Sequence, residues 1–171
     1  MIDLQKGIVG IPTVHPTGEI IAKSAELARL FRKRGCPVVL VNVSGMAPGR
    51  TEAKRPKFSF PPDWTGLVPE LERRPDDFMV TKQRWGAFLG TPLDDYLRGR
   101  GVTQVVLTGV GVESTARSAY DLGYNVTLVV DAMTDRDADA HRHCVEKIFP
   151  RLGETARTGD VLKLLRQDPS P

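Results

Sequence analysis

At 171 residues, 40% of them hydrophobic and 26% charged, the chain is long enough for one sizeable core and too short for two of typical size, so a single domain over residues 1–171 is expected. The formal net charge of +3 is mildly basic, but lysines and arginines are spread over helix ends and loops without an aromatic-interleaved stripe, which argues against a nucleic-acid partner. Two cysteines, Cys36 and Cys144, are too few for a disulfide framework and too far apart for a metal pair; with no signal segment and no apolar run near the ~18 residues of a membrane span, the expected setting is the cytoplasm, away from membranes.

Residues 1–5, MIDLQ, read as the tail of a short strand, with Asp3 near its carboxyl end and a Lys6-Gly7 turn after it. Over residues 19–34 the apolar Ile20, Ile21, Leu27, Ala28, Leu30 and Phe31 recur at helical spacing, with Arg32, Lys33 and Arg34 in the last turn and Gly35 as the stop. This predicts a crossover helix. Pro37 then opens a strand over residues 38–43, an apolar run of the kind buried on both faces in a parallel sheet. Residues 44–62 are polar, rich in proline and glycine and without periodicity; a loop of that length often covers a site.

A short helix is expected over residues 65–72 and a short strand over 78–81, delivering Lys82. In Thr91-Pro92-Leu93-Asp94 the threonine suits an N-cap, proline the first helical position, and Asp94 can serve the cap from the first turn; Gly99 or Gly101 ends that helix. Residues 105–132, VVLTGVGVESTARSAYDLGYNVTLVVDA, then read as one βαβ unit: a buried strand over 105–108, a corner at Gly109, Val110 and Gly111, a helix from Glu113, a stop at Gly123 and a second strand over 125–130. Such a unit implies a parallel sheet. An amphipathic helix over residues 135–151 and a last short helix over 159–165 complete the chain.

Ligands of open parallel sheets bind beyond the carboxyl ends of the strands, and a glycine corner there presents backbone N–H groups at a helix start. Three features converge on that edge: Asp3, Lys82 and the corner. A carboxylate and an ammonium in a partly desolvated cleft can tune one another for acid–base work. Read from spacing alone, an Asp at a strand end also suits a turn or cap, and a lone Lys suits solvent.

The motifs IDLQKGI, TKQRWGAFLGTPLDDYL and LTGVGVESTARSAYDLGYNVTLVVDAMTD, with IFPRLGETARTGDVLKLL near the end, resemble the isochorismatase-like hydrolase family, also called the cysteine hydrolase superfamily. The resemblance covers nearly the whole chain, in order. It implies a Rossmann-like three-layer α/β/α sandwich around a mostly parallel sheet. It also implies catalytic roles for Asp3 as acid/base and Lys82 as its partner, a small-molecule substrate, no cofactor, and a homodimer or higher homo-oligomer.

Two departures qualify that carry-over. The residue where amidohydrolase members place a nucleophilic Cys is Gly111, so an acyl-enzyme route has no nucleophile there. Isochorismatases proper cleave a vinyl ether, for which the resemblance implies a protonated acid instead, and Asp3 would be that acid. The corner is also several residues shorter than the family pattern, which together with the curtailed first strand leaves open a reduced site or residues missing before Met1 and between Val110 and Gly111. The competing expectation is a non-catalytic family member acting as a binding or oligomeric scaffold.

No metal is expected, because residues 43–62 lack the histidines of metal-dependent relatives, and His15, His141 and His143 suit surface or capping roles. Trp85, Phe88, Val110 and Val112 are the candidate substrate-binding residues; Phe58, Phe60 and Trp64 could join an apolar pocket or simply pack.

Overall fold

A computed structural model describes residues 1–52 and 60–167; Phe58 lies outside them. Among the described residues five strands, β1 (Val39–Val43), β2 (Phe78–Lys82), β3 (Gln104–Val110), β4 (Asn125–Thr134) and β5 (Glu154–Ala156), pair in parallel, β1 with β2 and β4 with both β3 and β5. Among the described residues, the two blocks meet through Ile2, which bridges Val41 on one side and Gly109 on the other.

Both faces of this sheet are apolar, as the strand sequences require, and helices cover each. On one side lie α2 (Thr17–Lys33) and α7 (Thr158–Gln167): Val38 and Leu40 pack with Ile20 and Ala25 of α2, while Val129 packs with Leu27 of α2 and Val161 of α7. On the other lie α3 (Leu93–Arg98), α4 (Glu113–Asp121) and α6 (Phe149–Leu152), whose Leu97, Ala116 and Phe149 join Val41, Val80 and Leu128. The alternation of Leu40 to one face and Val41 to the other is the period-2 pattern of a strand buried on both sides. The result is a three-layer α/β/α sandwich. No helix among the described residues is long and apolar enough to cross a membrane.

Several elements differ from their sequence-based forms. Residues 1–5 contribute isolated bridges at Ile2 and Gln5 instead of a continuous strand, and a one-turn helix, α1 (Lys6–Val9), replaces the turn. The expected 65–72 helix contracts to a 3₁₀ turn at Pro69–Leu71. The 135–151 helix divides into α5 (Ala138–His143), a π-helical turn at Cys144–Ile148 and α6. Pro150 has no N–H to donate, so the regular ladder cannot run through it. Asp94 does not serve a cap: it accepts from Tyr124 Oη at 2.6 Å and from Arg98 Nε at 3.0 Å, while Thr91 Oγ1 accepts from Leu93 N at 3.3 Å.

β4 runs four residues past the expected end at Val130, through the charged Asp131. That carboxylate is satisfied across the fold, where Oδ1 accepts from Thr158 N at 2.7 Å and from Thr158 Oγ1 at 2.9 Å. β5, polar and three residues long, carries no periodic signal.

Candidate active site at the carboxyl edge of the sheet

Asp3 reaches the carboxyl edge because residues 1–3 wedge between β1 and β3. Asp3 N donates to Val41 O at 2.9 Å, Ile2 N to Thr108 O at 2.8 Å, and Val110 N to Ile2 O at 2.9 Å. The wedge passes so near Gly109 that a Cβ there would lie 2.0 Å from Ile2 O, and Gly109 has φ +116. Only glycine admits both the backbone contact and that conformation. Asp3 itself has φ 53, an uncommon left-handed conformation for a residue other than glycine, one that turns the chain away from the ladder into α1.

Lys82 is the last residue of β2, in register with Val43. Its side chain crosses the end of β1, and Nζ donates to Asp3 Oδ2 at 2.8 Å, to Arg84 O at 3.1 Å and to Trp85 O at 3.0 Å. All three ammonium protons thus have acceptors, and the side chain is 3% exposed. The loop that supplies those carbonyls is fixed to α4: Ala87 N donates to the buried Thr115 Oγ1 at 3.2 Å, and Gly86 sits against Ser114 O. The lysine is held, not free.

The second carboxylate oxygen is different. Asp3 Oδ1 is buried and has no hydrogen-bond partner in the protein. Burial raises the Asp3 pKa above its usual value, and the Lys82 charge and hydrogen bond only partly offset it. With Oδ2 accepting from Lys82, a proton on this carboxyl group belongs on Oδ1.

Gly111 has φ +62 and no atom within 4 Å of where a Cβ would be. Its N–H donates to Thr134 O at 3.1 Å, and the Val110 N–H is taken by Ile2 O. The Val110 and Gly111 amides of the corner are therefore engaged within the fold and are not available to an anion, in contrast to the exposed donors expected there. Cys144 packs near this corner, with its thiol pushed up to about 12 by burial and by Glu113, so it is un-ionised at neutral pH.

The remaining candidates separate by burial. The Trp85 side chain is 81% exposed beside the lysine loop, whereas Phe88, Val110 and Val112 are buried in the core. Phe88 packs against Tyr124 with ring centroids 5.7 Å apart, and Val110 joins the α2-side cluster. Apolar side chains beside a glycine corner enter whichever core layer the strand presents them to, so these three support the edge from within.

Gln5 is a structural partner of the site that sequence reasoning left without a role. It is fully buried, and its amide imitates a strand: Oε1 accepts from Val43 N at 2.6 Å, while Nε2 donates to Val43 O at 3.0 Å and Trp64 O at 2.9 Å. It ties the segment around Trp64 to Val43 at the end of β1, the residue in register with Lys82. Only its place beside Asp3 in the DLQ motif hinted at this.

His15 and His141 also meet, with ring centroids 5.1 Å apart, and His15 N donates to Thr134 Oγ1 at 2.9 Å. They buttress the strand end that receives Gly111.

A parallel α/β/α sheet with a buried Asp–Lys pair at its carboxyl edge defines a class of α/β protein suited to acid–base chemistry. The family description "Isochorismatase domain" matches residues 1–160, and the chain belongs to the isochorismatase family of hydrolases. It is 38% identical to the uncharacterized isochorismatase family protein YwoC of Bacillus subtilis (strain 168), over 97% of this chain and 92% of that protein. A ureidoacrylate amidohydrolase, RutB of Methylobacterium radiotolerans, is 31% identical over 82% of this chain and 65% of its own length. An isochorismatase family protein from Burkholderia thailandensis has a solved structure that superposes with a TM-score of 0.92 at 43% identity, covering 97% of this chain and 93% of that one.

Proposed function

We propose that the protein hydrolyses a small organic substrate of the vinyl-ether type, with Asp3 as the general acid. The observation that carries this reading is the asymmetry of the Asp3 carboxyl group: Oδ2 is fixed by Lys82, while Oδ1 is buried and unpartnered and the pKa is raised by burial. A group so placed is kept protonated to a higher pH than an ordinary aspartate and can give its proton to a vinyl carbon.

The step balances without a nucleophilic side chain. The Asp3 proton goes to the terminal vinyl carbon, the C=C π pair forms the new C–H bond, and the ether oxygen stabilises the resulting oxocarbenium ion. Water adds to that cation and returns a proton to Asp3, and the hemiketal collapses to a ketone and an alcohol. Lys82 is the positioning residue, holding Oδ2 and offsetting the negative charge left on the carboxylate after transfer. Trp85 is the candidate for substrate contact, since its ring is exposed beside the lysine loop.

Amide hydrolysis, the reaction named for RutB, is less well supported, because Gly111 offers no nucleophile and its N–H is already bonded to Thr134 O. The test incubates the protein and Asp3→Asn with isochorismate and with simple amides. Pyruvate release that Asp3→Asn abolishes is the expected result. Turnover of amides alone overturns the vinyl-ether reading, and turnover of neither favours a non-catalytic scaffold.

A further inference from the structure

Thr115 is fully buried in α4, whose Ala116 and Ala119 pack into the core. A valine has nearly the same shape, and a buried hydroxyl costs free energy unless it finds a partner. Here the partner is on another element: Thr115 Oγ1 accepts from Ala87 N at 3.2 Å.

Ala87 ends a short span with few anchors of its own. Among the described residues, no backbone N–H from Gln83 to Gly86 donates to another backbone group. In the middle of that span lie Arg84 O and Trp85 O, which accept from Lys82 Nζ at 3.1 and 3.0 Å; the remaining acceptor is Asp3 Oδ2, at 2.8 Å. Most of what orients the buried ammonium therefore comes from a stretch whose far end is tied to α4. The tie has support on both sides. Thr91 Oγ1 donates to Ala87 O at 2.5 Å, and Gly86 fits so closely that a Cβ there would lie 3.1 Å from both Ser114 O and Ser118 Oγ. Since α4 also begins just past the Gly111 corner, one helix sets both the corner and the lysine loop.

Reacting groups must be held within about 0.5 Å of their productive geometry, and residues one step removed do the holding. We propose, on the reading of Asp3 as the acid, that Thr115 is a positioning residue of this site: through Ala87 its hydroxyl fixes the Arg84 and Trp85 carbonyls, which aim the Lys82 ammonium at Asp3 Oδ2. The carboxyl group is thereby kept in one orientation, with Oδ1 as the oxygen that carries the proton.

Thr115→Val, Thr115→Ser, Gly86→Ala and Ala119→Gly are compared with the parent chain. The Lys82 ammonium protons are followed by proton–nitrogen NMR, alongside Tm and the kcat and KM on isochorismate. Thr115→Val is expected to speed exchange of the ammonium protons by about tenfold or more and to lower kcat by about 10- to 100-fold, with a smaller rise in KM. Thr115→Ser keeps the hydroxyl and restores both. Ala119→Gly weakens α4 without touching the loop, so it lowers Tm and leaves the ammonium exchange as it was. Gly86→Ala pushes the loop off α4 with Thr115 intact and reproduces the faster exchange; it decides the matter if Thr115→Val does not fold. Unmoved ammonium exchange, or an unchanged kcat in an active enzyme, overturns the positioning role. So does a Thr115→Ser variant as impaired as Thr115→Val, which assigns the effect to shape, or an Ala119→Gly variant whose exchange rises as much, which assigns it to general loosening. Absence of turnover in the parent chain, with the exchange pattern as expected, overturns the vinyl-ether reading alone and supports the role of Thr115.

Discussion

The two ends of the Met1–Asp3 wedge make opposite use of the same three residues. At the carboxyl edge the ends of β1, β2 and β3 have partners: Lys82 donates three hydrogen bonds, Gln5 continues the β1 ladder, and the Val110 and Gly111 amides are bonded. At the amino end, β1 and β3 stand apart around an apolar cavity. The difference shows where this fold invests its order. Polar groups converge at the carboxyl edge, where Asp3 Oδ1 and Asn42 Oδ1 are buried without a hydrogen-bond partner. The cavity at the other end is lined mostly by apolar side chains.

The sharpest way to break the comparison is to remove the acid. Asp3→Asn keeps shape and hydrogen-bonding capacity but cannot transfer the proton, so kcat on isochorismate is expected to fall by about 10²–10⁴ while Tm stays within a few degrees. A loss of activity matched by a large fall in Tm would instead mark Asp3 as structural. Gly109→Ala strikes both ends at once, because its Cβ would enter the Ile2 backbone at a φ of +116. A loss of about 3 kcal/mol or more in urea unfolding is expected, together with loss of activity.

Asp77→Ala tests a buried pair outside both regions. Arg32 donates to Asp77 from Nε at 2.9 Å and from a terminal nitrogen at 2.7 Å, and their side chains are 7% and 2% exposed. Stranding the guanidinium should cost about 3–5 kcal/mol, read from the urea midpoint, without changing the pH profile of any activity.

The pH profile itself sharpens the assignment at Asp3. Burial raises its pKa, so the protonated, active form persists above the usual carboxyl range and is lost as pH rises through the raised value. kcat/KM should therefore have a falling basic limb, which Lys82→Met moves further toward basic pH by removing the charge that opposes protonation. A limb unmoved in that variant would detach the titration from this pair. The smallest effect is expected from Trp85→Ala. Its side chain is 81% exposed, so stability should change by less than about 0.5 kcal/mol, and any loss should fall on KM.

Much of this was legible in the chain. The βαβ block gave β3, α4 and β4 in order because strand and helix periods differ and glycines punctuate them. The family motifs named Asp3, Lys82 and Gly111, and the structure brings Asp3 and Lys82 to 2.8 Å. Less legible were elements held by distant contacts. β4 extends through Asp131 because Thr158 satisfies it, and the 135–151 helix gives way at a π turn before Pro150.

By itself, then, the sequence determined the layer architecture, since periodicity is a local property, and its family resemblance singled out Asp3 and Lys82 as the pair to look for. Only the tertiary structure decided which Asp3 oxygen is free, that Gln5 substitutes for a strand, and that the Val110 and Gly111 amides are spent inside the fold. Each of these depends on which backbone groups meet across long separations in the chain, and no local pattern of side chains encodes that.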